Sequence, residues 1–73
     1  MHLEKWIELA GKSRHDVAEA IGVTVGLIGA FIRKEKRLGD ENKRRLYEFT
    51  EGAVTYDDMI IPDEELKKAP NGD

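Results

Sequence analysis

The fold is decided by the stretch Val17-Ala-Glu-Ala-Ile-Gly-Val-Thr-Val-Gly-Leu-Ile-Gly-Ala-Phe31. Two short helices that meet at about a right angle need a small residue at their crossing, a glycine in the turn and apolar residues that lock the angle. Ala18 and Gly22 meet the first two requirements. The locking positions are Val17, Ile21, Val23, Ile28 and Phe31. The stretch therefore predicts two helices joined by a tight turn.

Helical spacing and capping residues extend this prediction in both directions. Apolar residues recur at i, i+3, i+4 and i+7 over residues 3–10, which predicts a first helix. Ser13 and Asp16 have the spacing of a capping box and predict the start of the second helix. Thr24 is the predicted N-cap of the third helix, which occupies residues 24–33.

The rest of the chain is predicted to add a fourth helix that ends near residue 50. Residues 53–62 fit either a short strand or a capped helical turn that begins at Thr55, and we favour the turn. Residues 63–73 are mostly polar and are predicted to form a flexible acidic tail, with at most one helical turn over residues 64–68, beyond a folded domain of residues 1–62. The sequence thus predicts an all-α protein, a small bundle of four to five helices.

The composition excludes several classes of protein. A chain of 73 residues with 40% hydrophobic and 37% charged residues has room for one small core. It has no apolar run near the ~20 residues of a membrane span, and its first residues lack the apolar region of a secretory signal. We therefore expect a cytoplasmic protein with no membrane association. With no cysteine and two histidines, we expect no metal and no cofactor.

The net charge of −3 conceals an asymmetry along the chain. Residues 1–50 carry ten basic and eight acidic side chains, whereas residues 51–73 carry two and seven. The segment 33–45 alone holds seven basic and three acidic side chains. The sequence therefore combines a basic patch, which suits nucleic acid, with an acidic C-terminal part.

These features resemble the Cro and repressor helix-turn-helix proteins, and over residues 3–63 the chain is most similar to the YdaS-type Cro-like regulators. The likeness lies in the turn, the basic segment 33–37, the fourth helix, Glu51-Gly-Ala-Val-Thr55 and Pro62-Asp63. It implies a transcriptional regulator, such as a Cro-like repressor, that binds operator DNA as a homodimer. The third helix would enter the major groove, and the dimer would read two half-sites about one helical turn apart.

The resemblance also implies which residues face the bases. A projection at 100° per residue places one stripe of the third helix opposite Ile28, and the helix N-terminus extends it; together these positions are Thr24, Val25, Gly26, Gly29, Ala30 and Arg33. The family commonly has polar side chains at the outward positions, and here only Arg33 could form a bidentate contact to guanine. We therefore expect modest specificity, or specificity that depends on DNA shape. The smooth stripe could equally pack against another helix.

Basic side chains beside the third helix are the predicted phosphate contacts. Ser13 and Arg14 could hold one phosphate at the start of the second helix. The other candidates follow the third helix or lie on the fourth, and they are Arg33, Lys34, Lys36, Arg37, Lys43 and Arg44.

Two other readings remain open. The helix pair could be a packed hairpin without a nucleic-acid partner, or a protein-binding module, such as an antirepressor or an antitoxin, that docks on a repressor or a toxin. The smooth helix face, the negative net charge and the acidic residues 51–65 favour the latter. An enzyme acting on a small molecule is disfavoured, because no nucleophile lies beside a base and Asp57-Asp58 is an ordinary solvated pair.

Overall fold

The helices form where the sequence supplies caps and apolar stripes. A computed structural model describes residues 1–67, and within them every regular element is helical. The predicted all-α bundle is confirmed, and the capped turn is found where a strand was the alternative. The elements are α1 (Leu3–Ala10), α2 (Arg14–Ile21), α3 (Val25–Ile32), α4 (Asp40–Phe49), α5 (Tyr56–Met59) and a 3-10 turn (Asp63–Glu65).

Side chains cap the start of three helices. The Ser13 hydroxyl accepts the Asp16 N–H at 3.1 Å, and the Asp16 carboxylate accepts the Ser13 N–H at 2.9 Å, so the predicted capping box is confirmed. The Thr24 hydroxyl accepts the Leu27 N–H at 3.1 Å, as expected for the N-cap of α3. Thr55 begins α5 with a second capping box. Each cap satisfies backbone donors that the helix leaves unpaired.

The helix ends differ in their residue type. α2 ends at Gly22, whose φ of 78° is in the left-handed region that favours glycine. The same conformation follows α3 at Lys34 (φ 64°) and α4 at Glu51 (φ 54°). After α3 the chain is held by a bond from the Glu35 N–H to the Ala30 carbonyl, at 2.8 Å. A side chain in this conformation costs about 1 kcal/mol, so tertiary contacts must offset that cost.

α2 and α3 form a corner at the centre of the molecule. The chain bends by 115° between them, over a break of residues 22–24. Their inward faces supply much of the core, and the most deeply buried side chains of the protein are Val17, Ile21, Ile28, Leu46, Val54 and Met59. Burial of each such side chain contributes about 1.5–3 kcal/mol. These contacts fix the orientation of α3 relative to the rest of the bundle.

α4 closes the core against α1 and α2. Trp6 of α1 meets Phe49 edge-on, with ring centroids 5.4 Å apart. The guanidinium of Arg45 donates to the carbonyl of Ile21 at 3.2 Å and therefore caps the end of α2. The buried hydroxyl of Thr50 donates to the carbonyl of Leu46 at 3.0 Å and accepts the Val54 N–H at 3.2 Å, so it links α4 to the segment before α5.

The segment 61–67 packs on the bundle. Ile61 is buried, Leu66 packs against the core, and the Lys67 N–H donates to the Lys34 carbonyl at 2.7 Å. Folded structure therefore continues past the predicted domain boundary at residue 62. The predicted flexible tail of residues 63–73 is thus partly folded, and its remainder, 68–73, lies outside the described residues.

No single helix within residues 1–67 is long and apolar enough to cross a membrane. α2 and α3 reach that length and hydropathy only when they are counted together across their bend.

Candidate nucleic-acid interface

The N-terminal turn of α3 is open to solvent. Thr24 and Gly26 are exposed, and Val25 retains 47% of its surface although it is apolar. A methyl group added at Gly26 would meet nothing closer than the Thr24 hydroxyl, at 3.9 Å. Three of the residues predicted to face DNA thus form one accessible, small-residue surface.

The prediction that Gly29 and Ala30 face outward is wrong, because both residues are buried. Ala30 is only 8% exposed. Gly29 lies beneath two arginine side chains: the Arg33 Nη1 is 3.1 Å and the Arg14 Nη1 3.6 Å from the position that a Cβ would occupy. A helical projection places residues around one axis and ignores what neighbouring side chains cover. The smooth face is consequently shorter than the sequence suggested.

Arg33 is held by an acidic neighbour. Its Nε and Nη2 donate to the two carboxylate oxygens of Glu35, at 3.0 and 3.2 Å. This hydrogen bonding raises the pKa of Arg33 and lowers the pKa of Glu35. The fork that was predicted for guanine therefore binds a carboxylate in the free protein. Guanine, or a phosphate bound through the same two nitrogens, would have to replace Glu35.

Arg14 has a looser arrangement at the start of α2. Its Nη2 lies 3.6 Å from the carboxylate of Glu4, beyond hydrogen-bond distance, and its side chain is 41% exposed. Ser13, beside it, is exposed but its hydroxyl serves as the α2 cap. The structure thus brings Arg14 from one helix and Arg33 from the next to the same place over Gly29.

Lys34 and Arg37 point toward the C-terminal segment. Lys34 Nζ pairs with Glu65 at 2.6 Å. Arg37 donates from Nε and Nη2 to the carbonyl of Ile61, at 3.1 and 2.7 Å, and from Nη2 to Asp63 at 2.7 Å. The sequence analysis predicted that these two residues present free charges to phosphate. They instead hold the segment 61–67 on the bundle.

Lys36 and Lys43 differ from that pair. Lys36 is exposed and Lys43 half-buried, and neither forms an ion pair with another described residue. Arg44 is bound to Glu41 and Glu48 along α4. Of the predicted phosphate contacts, the two lysines are the most readily available.

Sequence reasoning missed the carboxylates that hold the arginines. Glu35 lies two residues from Arg33, a spacing that does not bring side chains together within a helix. It does so here because the left-handed Lys34 reverses the chain between them. That conformation at a lysine has no local signal in the sequence.

A groove that is lined partly by apolar residues, which we call the apolar groove, lies on another part of the surface. It encloses about 650 Å³ between the start of α1, the end of α3 and the segment after α5. Half of its lining is apolar and comprises Leu3, Phe31, Ile32, Ile60, Ile61 and Pro62; the other half comprises His2, Glu4, Lys34, Asp57, Asp58 and Glu65. Ile60 is 58% exposed. The groove is therefore accessible to an apolar side chain of another molecule.

Comparison of the chain with protein-family models, with curated proteins and with solved structures finds no match.

Proposed function

We propose that this protein is a helix-turn-helix regulator of transcription, a non-enzymatic cytoplasmic protein that binds operator DNA as a dimer through α3. The observation that carries the proposal is the α2–α3 corner. Its bend of 115° over three residues suits a helix-turn-helix, in which the second helix enters the major groove. The exposed turn Thr24–Gly26 is the part of α3 that such a helix presents first.

The chemistry of this turn fits base contact of limited specificity. The Val25 side chain and the Thr24 methyl can contact thymine methyl groups, and Gly26 allows the backbone to approach closely. Sequence preference then comes from a few apolar contacts and the shape of the groove.

The charges around the corner support binding to the DNA backbone. Lys36 forms no ion pair within residues 1–67, Arg14 is only loosely held by Glu4, and Arg33 is bound to Glu35 in an exposed ion pair. Exposed ion pairs such as Arg33–Glu35 are weak, so DNA phosphates can displace the carboxylates. The acidic residues Asp63 and Glu65 neutralise Lys34 and Arg37 elsewhere.

The proposal is tested by selecting bound sequences from a random duplex pool and measuring their affinity. We expect a recurrent sequence to emerge. Val25→Ser should weaken its binding by about tenfold through loss of apolar contact. Leu9→Ser is the matched control, because Leu9 is also apolar and exposed but lies on α1. Failure to bind DNA, or equal effects of both substitutions, would overturn the proposal.

The apolar groove favours a second candidate function, a protein-binding module that docks on a repressor or toxin. In that case Ile60→Asp should abolish the complex with the partner protein, because it places a charge in the apolar groove. The Val25→Ser variant should then bind that partner normally. An Ile60→Asp variant that keeps its partner would remove the groove from consideration.

A further inference from the structure

We infer that Arg14 and Arg33 form a clamp for a single phosphate, with Gly29 as its floor. The inference rests on the proposed function, since the phosphate meant is one of the DNA backbone. It assigns to two residues of different helices one shared ligand, where the sequence offered them as separate contacts.

The first observation is convergence. The Nη1 atoms of Arg14 and Arg33 both lie within 3.6 Å of the point where a Gly29 Cβ would be. Two guanidinium groups that close can donate to oxygens of one phosphate, which accepts charge-assisted hydrogen bonds from several directions.

The second observation concerns the donors that remain. Arg33 bonds Glu35 through Nε and Nη2, and Arg14 approaches Glu4 through Nη2. Within residues 1–67 neither Nη1 has a hydrogen-bond partner. The two uncommitted donors are therefore the ones that meet over Gly29.

The third observation is the floor itself. A Cβ added at residue 29 would lie 3.1 Å from the Arg33 Nη1, so the tip of that side chain would have to shift, and it would contact the Arg14 Nη1 at 3.6 Å. The glycine costs helix stability, since it is a poor helix former in the interior of α3. Its absence of a side chain lets both guanidinium groups lie against the helix backbone.

Two carboxylates occupy the surroundings in the free protein. Glu4 lies beside Arg14 and Glu35 lies beside Arg33, so the two carboxylates balance the charges of the two arginines. Both arginines are partly exposed, with 41% and 53% of their side-chain surface accessible. An incoming phosphate can therefore take the site without unfolding any element, by displacing solvated ion pairs.

The salt dependence of binding to a random-sequence duplex tests the clamp, because its slope counts neutralised phosphates at about 0.9 for each. If the two arginines share one phosphate, Arg14→Gln and Arg33→Gln each weaken binding by about tenfold with little change in slope. The double variant lowers the slope by about 0.9. With two separate phosphates, each single variant lowers it by about 0.9 and the double by about 1.8, which would overturn the clamp.

Matched variants complete the experiment. Lys5→Gln makes the same charge change on α1 and should leave the slope of the salt dependence unaltered. Arg14→Lys and Arg33→Lys keep the positive charge and should also keep the wild-type slope. Circular dichroism of each variant checks that the overall helical content is unchanged. If the wild-type protein itself fails to bind the duplex, the proposed function is overturned and the clamp with it; additive slopes in a protein that does bind overturn the clamp alone.

Discussion

The two ends of α3 are built in opposite ways. At the N-terminal end, Thr24 caps the helix, Val25 and Gly26 are exposed, and a methyl group added at Gly26 would meet nothing closer than the Thr24 hydroxyl. At the C-terminal end, Ala30 is buried and Lys34 is bound to the segment 61–67. The C-terminal end of α3 therefore holds the helix on the bundle, while the N-terminal end is left accessible to a ligand.

The largest effect should come from breaking the anchored end. Arg37→Ala removes the donors to the Ile61 carbonyl and should lower the free energy of unfolding by about 1.5–3 kcal/mol, as expected for hydrogen bonds to a charged group. Lys36→Ala, beside it, should change the value by less than about 0.5 kcal/mol. Urea denaturation of both variants measures the difference. Equal stability of the two would show that the segment 61–67 does not anchor α3.

A smaller effect is expected from releasing Arg33. Glu35→Gln removes the carboxylate that holds the fork and should raise affinity for duplex DNA by about two- to fivefold, the range of an exposed ion pair. Glu64→Gln makes the same charge change on an exposed residue that forms no ion pair with a described residue. Fluorescence anisotropy at one salt concentration compares them. If both variants gain equally, general charge and not the release of Arg33 accounts for the change.

A last effect, of similar size in free energy, concerns the left-handed residues that follow α3 and α4. Glu51→Gly should raise the free energy of unfolding by about 0.5–1 kcal/mol, because glycine adopts this conformation without a steric cost. Lys34→Gly should gain less, since it also loses the ion pair with Glu65. Thermal unfolding of both variants tests this order. A larger gain at Lys34 would mean that Glu65 does not stabilise the end of α3.

Much of the fold could be predicted because its signals are local. The capping box of Ser13 and Asp16, the cap at Thr24 and the glycine turn at Gly22 each involve residues within four positions of one another. Helical spacing then identified buried positions such as Ile28, which is fully buried. These features depend on residues that are close in sequence, so tertiary packing leaves them in place.

The candidate site was only partly predictable. The sequence identified the exposed turn Thr24–Gly26 but placed Gly29 and Ala30 on the same surface. Burial of Gly29 depends on the tips of Arg14 and Arg33, whose side chains come from different helices. No periodicity of one helix contains that information.

The helices, their caps and the turn between α2 and α3 could be predicted from the sequence, because they depend on residues close together along the chain. Tertiary contacts assign the ion-pair and hydrogen-bond partners of several basic side chains. Arg37 meets Ile61 across 24 positions and Lys34 meets Glu65 across 31, whereas Arg33 and Arg14 converge over Gly29. Charge–charge contacts act through space, so the path of the folded chain and not the order of its residues assigns each arginine and lysine its partner.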